Sequence, residues 1–250
     1  MKSLYLLVNF FTIIIPLIFS FHPKLNFYKT WKAFFPAVVV TGIGFVIWDA
    51  YFTRLGVWGF NENYISGLWI FGLPLEEVLF FLCIPYACVF TFYCLDKFWT
   101  EPFSKKTESI ITGILCLFLI IGSFVYKEQI YTLWTFASLA LILAFSSFVL
   151  KIQWLGKFYV VYSILLLPFM IVNGVLTGTG IPEPVVWYNA DEHIGLRILT
   201  IPVEDVFYGL ELILINLLIY RAIMNRVRKI YAEEKLPIKN TVRTKQVIHE

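Results

Sequence analysis

The chain has 250 residues, of which 59% are hydrophobic and 19% aromatic but only 15% charged, and a mean hydropathy of +0.77 excludes an ordinary soluble domain. The formal net charge is +3, and Lys and Arg are not gathered into a folded basic face, which argues against nucleic acid as a partner. Cys83, Cys88, Cys94 and Cys116 lie within apolar runs without a C-x-x-C pair, so buried free thiols are expected rather than a disulfide or zinc framework.

The composition predicts an all-α polytopic membrane protein. Taken in order, apolar segments run over roughly 3–21, 33–48, 74–95, 109–126, 130–150, 158–176 and 202–220. Most approach the roughly 20 residues that cross a bilayer core, and the second is short. Lys2 followed by an apolar run also fits a signal peptide. Ser20-Phe21-His22-Pro23 stands where a small-x-small cleavage site is needed, so the first segment is read as a span.

Charge in the connections tests that count. With seven spans, one side of the membrane receives Lys24, Lys29 and Lys32, then Lys97, Lys105 and Lys106, then Lys151 and Lys157, then eight Lys and Arg after the last span. The other side receives only Lys2, Arg54, Lys127 and Arg197. Excess Lys and Arg mark the cytoplasmic side, which predicts an N-terminus outside and a C-terminus inside the cell membrane. The polar tail from about residue 225 is expected to be a short cytoplasmic helix fading into disorder on anionic lipid.

Two stretches break the apolar pattern in the same way. Leu73-Pro74-Leu75-Glu76-Glu77-Val78 places two adjacent acids at the start of the third segment, and Ile201-Pro202-Val203-Glu204-Asp205-Val206 repeats the arrangement 128 positions later, Pro74 to Pro202. The chain therefore divides into a first repeat over 1–108, a linker span over 109–126, a second repeat over 127–224 and a basic tail over 225–250. Spans one to three matching spans five to seven are displaced by four helices, so the halves run parallel and deliver both acidic motifs to one side. Residues 49–73 and 177–201 form connections of equal length before the motifs, expected to fold over them.

Proline at a helix start and acids in its first turn also suit the helix dipole, so the motifs have a purely structural explanation. Against it, the acids sit among Trp69, Ile70, Phe71, Leu79, Phe80 and Phe81, and ionisable groups in such surroundings are functional candidates. Crowded, desolvated carboxyls resist ionising, so one can act as an acid while a neighbour steadies a cation or takes a proton back. Aromatic faces nearby would shelter that cation from water. Glu211 lies two turns after Glu204 and extends the polar strip inward, or packs as interhelical glue.

Taken with Trp48-Asp49, Gly56-Val57-Trp58, Phe60-Asn61, Asn173-Gly174-Val175-Leu176-Thr177 and Pro184-Val185-Val186-Trp187-Tyr188-Asn189, the two motifs resemble the two-half membrane lycopene β-cyclase family, in its fused form, over about residues 1–225. The resemblance implies redox-neutral closure of a β-ring on an acyclic carotenoid, a lipophilic substrate held in the bilayer, with other carotenoid-pathway enzymes as further partners. It carries acid and base roles onto Glu76, Glu77, Glu204 and Asp205, undivided among them. Substrate contacts fall to Trp58, Phe80, Phe81, Tyr188 and Tyr208, with Asp49, Asn61, Asn173, His193 and Glu211 as supporting candidates.

No flavin or other cofactor is expected, because Gly42-Ile43-Gly44 and Gly178-Thr179-Gly180 lack the third glycine of a dinucleotide motif and adjoin spans. No metal site is expected either, with no helical ligand spacing and His193 alone near the acids. The rival reading is a parallel-repeat transporter that uses the acidic pairs for proton coupling.

Overall fold

The computed structural model describes residues 2–234, with side chains through residue 230. Seven helices dominate those residues: α1 (Leu4–Phe19), α2 (Trp31–Leu55), α3 (Leu75–Phe98), α4 (Lys105–Val125), α5 (Ile130–Ala144), α6 (Leu155–Leu176) and α7 (Val203–Glu234). A π-helical stretch, Phe145–Val149, continues α5. Six of the helices, α2 to α7, are long and apolar enough to cross a membrane, and α1 is a shorter apolar helix of 16 residues. The protein is an all-α polytopic membrane protein. Of the basic tail, α7 carries the chain to Glu234, while Lys235, Lys239, Arg243 and Lys245 lie outside the described residues.

One boundary differs from the sequence reading in a way that matters for the site. The second segment, expected to end at residue 48, is a helix of 25 residues that continues through Asp49 and Arg54 to Gly56, whose φ of 74° caps it. Asp49 therefore belongs to a helix wall and not to a covering connection. The indole Nε1 of Trp58 donates to its Oδ1, which satisfies part of a carboxyl that the hydropathy pattern treated as the end of a span.

The connections after α2 and α6 are built alike. Each ends in a two-residue antiparallel hairpin against the next helix: β2 (Trp69–Ile70) with β3 (Leu73–Pro74), and β5 (Arg197–Ile198) with β6 (Ile201–Pro202). Phe71 (φ 53°) and Gly72 (φ 84°) make the first turn, the pair of positive φ values that a tight hairpin requires. The connections also join each other, because β1 (Trp58–Phe60) pairs antiparallel with β4 (Val186–Tyr188), Trp58 opposite Tyr188. A Cβ on Gly59 would lie 2.3 Å from the Trp187 ring, so this crossing needs glycine.

Beneath this hairpin layer α1 packs on α3, α2 lies against both α3 and α7, and α5 lies between α4 and α7. Phe27, Phe34, Phe45, Phe81 and Tyr86 belong to the main apolar core. A second cluster with Tyr5, Phe52, Trp58, Tyr64 and Tyr131 sits directly under the hairpins. At the opposite end, Asp96 of α3 accepts from Lys157 of α6 at 2.7 Å and from Arg221 of α7, which ties three helices together. The hairpin end is thus held by both connections and the far end by an ion-paired clamp.

Candidate active site

The acidic doublets occupy the first turns of α3 and α7. Successive residues on an α-helix point about 100° apart, so the two members of a doublet cannot face the same way. Glu76 and Glu204, both fully buried, turn toward the hairpin connections. The backbone N–H of Ser66 donates to Glu76 Oε1 at 2.7 Å, and that of Ile194 donates to Glu204 Oε1 at 2.8 Å. Glu204 Oε1 also accepts from the Thr132 hydroxyl at 2.6 Å. The other oxygen of each carboxyl has no partner among the described residues.

Glu77 and Asp205 turn the other way, into one cavity of about 710 Å³ shared by the two halves of the chain. Asp49 joins them on its wall, and among the described residues these three are the only Asp, Glu, Lys or Arg side chains that line it. The Tyr5 hydroxyl donates to Glu77 Oε2 at 2.6 Å. In the corresponding place the Tyr131 hydroxyl donates to Asp205 Oδ1 at 2.6 Å, and Asp205 Oδ2 accepts further from Tyr188 at 2.9 Å and from Asn173 at 3.4 Å. Among the described residues Glu77 thus has one side-chain donor, on Oε2, whereas both oxygens of Asp205 are held. Hydrogen bonds to the charged form favour it, so the two carboxyls differ in which state their surroundings suit.

Apolar and aromatic groups complete the wall. Trp58, Phe60, Phe80 and Tyr208 line the cavity. The rings of Trp58 and Tyr131 meet edge to face at 5.0 Å, and those of Trp58 and Tyr188 at 6.1 Å. Tyr188 sits in the hairpin layer, where burial, and after it the Asp205 charge, pushes its phenol well above the ordinary value. It therefore stays a proton-bearing donor at neutral pH. Behind it stands His193, whose imidazole is buried and meets the Tyr188 ring at 6.4 Å. Burial pulls its pKa down, with Glu204 acting against that and Arg197 with it, which keeps the ring neutral at pH 7.

The remaining sequence candidates separate by position. Asn173 and Tyr208 line the cavity. Phe81 instead packs into the helix core against Phe45, 6.1 Å between ring centroids. Asn61 donates to Glu183 at 2.8 Å across the exposed side of the connections. Glu211 sits deeper on α7, where Ser138 donates to it at 2.8 Å, outside the cavity lining.

Sequence reasoning missed Tyr5 and Tyr131, the donors to the two cavity carboxyls. Both lie in the first turn of the first helix of a half, and a search for residues repeated near the motif offset would have found them.

Two stretches of the chain, residues 2–95 and 128–223, match the Lycopene cyclase family. Among curated proteins, a bifunctional lycopene cyclase/phytoene synthase of Leptosphaeria maculans is 33% identical over 85 residues, which is 34% of this chain and 14% of that protein. One from Pyrenophora tritici-repentis is 32% identical over 88 residues, 35% of this chain and 14% of that protein. One from Aspergillus oryzae is 25% identical over 97 residues, 37% and 16% respectively. The chain therefore matches a small part of the length of these relatives. No solved structure matches it.

Proposed function

Since this chain belongs to the lycopene cyclase family, we propose that it closes β-rings on acyclic carotenoid end groups by proton chemistry alone. The observation that carries the reading is the meeting of Glu77 from one half and Asp205 from the other on the wall of a single, mainly apolar cavity. An acid, a base and a dry space between them are what this isomerisation needs.

In the proposed scheme Glu77 donates its proton to the terminal double bond of the substrate, leaving a tertiary carbocation. The electron pair of the neighbouring double bond attacks that centre and closes a six-membered ring, which moves the positive charge to a ring carbon. Asp205 then takes a proton from the adjacent carbon, whose C–H pair becomes the ring double bond. One proton enters and one leaves, so the substrate is neither oxidised nor reduced and no cofactor is required. Asp49, held by Trp58, places a third carboxyl beside the cation, and the faces of Trp58, Phe80 and Tyr208 shelter it.

The same reading gives Glu76 and Glu204 a positioning role. Each ties its hairpin connection to the helix that carries the reacting carboxyl, through Ser66 in one half and Ile194 in the other. These matched partners, like Tyr5 with Tyr131, support two parallel repeats over 1–108 and 127–224 around a linker helix, followed by the tail. The charge bias of the connections supports a hairpin end outside the cell membrane and a tail inside. An apolar lining disfavours a transporter of polar solutes.

Expression in cells that accumulate lycopene tests the activity. Extracted pigments should contain β-carotene or a singly cyclised carotene, and unchanged lycopene with the protein present in membranes would reject it. A finer test bears on the donors to Asp205. Tyr131→Phe removes one charge-assisted hydrogen bond, and losing its contribution of about 1.5–3 kcal/mol should slow conversion by about ten- to a hundredfold at equal protein level.

A further inference from the structure

The cavity is much longer than a six-carbon ring needs. Its wall on α3 is one stripe, Glu77, Phe80, Ile84, Ala87, Cys88 and Thr91, whose three- and four-residue steps keep it on a single helix face. At 1.5 Å per residue the stripe runs about 21 Å. Facing it on α7 are Asp205, Tyr208 and Leu212, and on α6 the lining runs from Asn173 to Tyr162. The three carboxyls all lie at the hairpin end, and the remainder of the slot is lined without a charged side chain.

One long side of the slot is open. Phe11 and Ile15 of α1 and Ile171 of α6 line it and are also exposed, each by more than half of its surface. Because the bundle is a membrane protein, that side faces hydrocarbon, and an extended apolar chain would enter from it without crossing water.

We propose that the slot seats the unreacted polyene parallel to the helices, reacting end group against the carboxyls, and that Ala87, Cys88 and Thr91 determine how long a chain can be seated. This rests on the cyclase reading and adds the orientation and the length limit. Ala87 is the smallest side chain of the α3 stripe, about 15 Å beyond Glu77 by helix rise, so a bulky residue there closes the inner part of the slot and leaves the carboxyl end untouched.

The test compares two acyclic substrates with the same end group, one full length and one cut to about half. For Ala87→Phe, and independently for Thr91→Trp, the ratio of full-length to truncated turnover should fall at least about tenfold, the scale at which a pocket rejects excess apolar bulk. Equal loss on both substrates, or no change in the ratio, would overturn the proposal.

A second measurement uses the unaltered protein. Insertion of a lipophilic carbene photoprobe into the Ala87–Thr91 stretch around Cys88, mapped by peptide mass, should be reduced by the full-length polyene and not by the truncated one. Equal labelling with either bound would also overturn it. If the unaltered protein cyclises neither substrate, the activity itself fails, and protection of this stretch still reports on the slot.

Discussion

Glu77→Gln is expected to lower carotenoid cyclisation about 10²–10⁴-fold, the usual worth of a positioned general acid, while the protein still accumulates in membranes. The amide matches the carboxyl in shape, and its oxygen can still accept from the Tyr5 hydroxyl that now lies 2.6 Å from Glu77 Oε2. What it lacks is a proton acidic enough to reach a carbon–carbon double bond. Because packing and the hydrogen bond survive, a loss of that size with normal membrane levels would locate the defect in the proton and not in the fold. Glu76→Gln provides the contrast: its side chain faces Ser66, so its effect should appear chiefly as altered stability of the hairpin connection.

Asp205→Asn is expected to cost a similar factor, about 10²–10⁴, for the opposite reason. Asp205 accepts from Tyr131, Tyr188 and Asn173, a donor set that suits a carboxylate. An amide there cannot take the proton that leaves the ring, and its own N–H groups would point at hydroxyl donors. Since both variants disable one reaction sequence in one cavity, the double variant should be no more than slightly worse than either single one, which pigment analysis at equal expression would show. Near-additive losses would mean that the two carboxyls contribute independently to the barrier and not as one acid–base sequence.

Much of this architecture was legible in the residues. The apolar segments appear as helices at nearly their expected places because the bilayer leaves backbone polar groups no other partner. The two Pro-x-acid-acid motifs stand out because charge is costly in such surroundings. What could not be read was which acid of each doublet faces the cavity. That follows from the rotation of each helix about its axis, which depends on packing between helices far apart in sequence. Falling hydropathy places Asp49 in a connection, yet Trp58, nine residues on, folds back to donate to one of its oxygens within the helix wall. The β1–β4 pairing joins residues more than a hundred positions apart, and strands of three residues carry too little periodicity to announce it.

Glu76 and Glu204 cap hairpin backbone groups in the first turns of their helices, and the helix dipole favours both acids of each doublet there. The structural and chemical readings of the motif thus divide between its two positions.

If one cavity within one chain needs a carboxyl from each half, two singly altered chains cannot rescue each other. Glu77→Gln and Asp205→Asn proteins can be co-expressed in lycopene-accumulating cells. Each chain then retains one intact half and none has a complete cavity, so lycopene should stay unconverted. Restoration of cyclic carotenes toward the unaltered level would contradict that requirement.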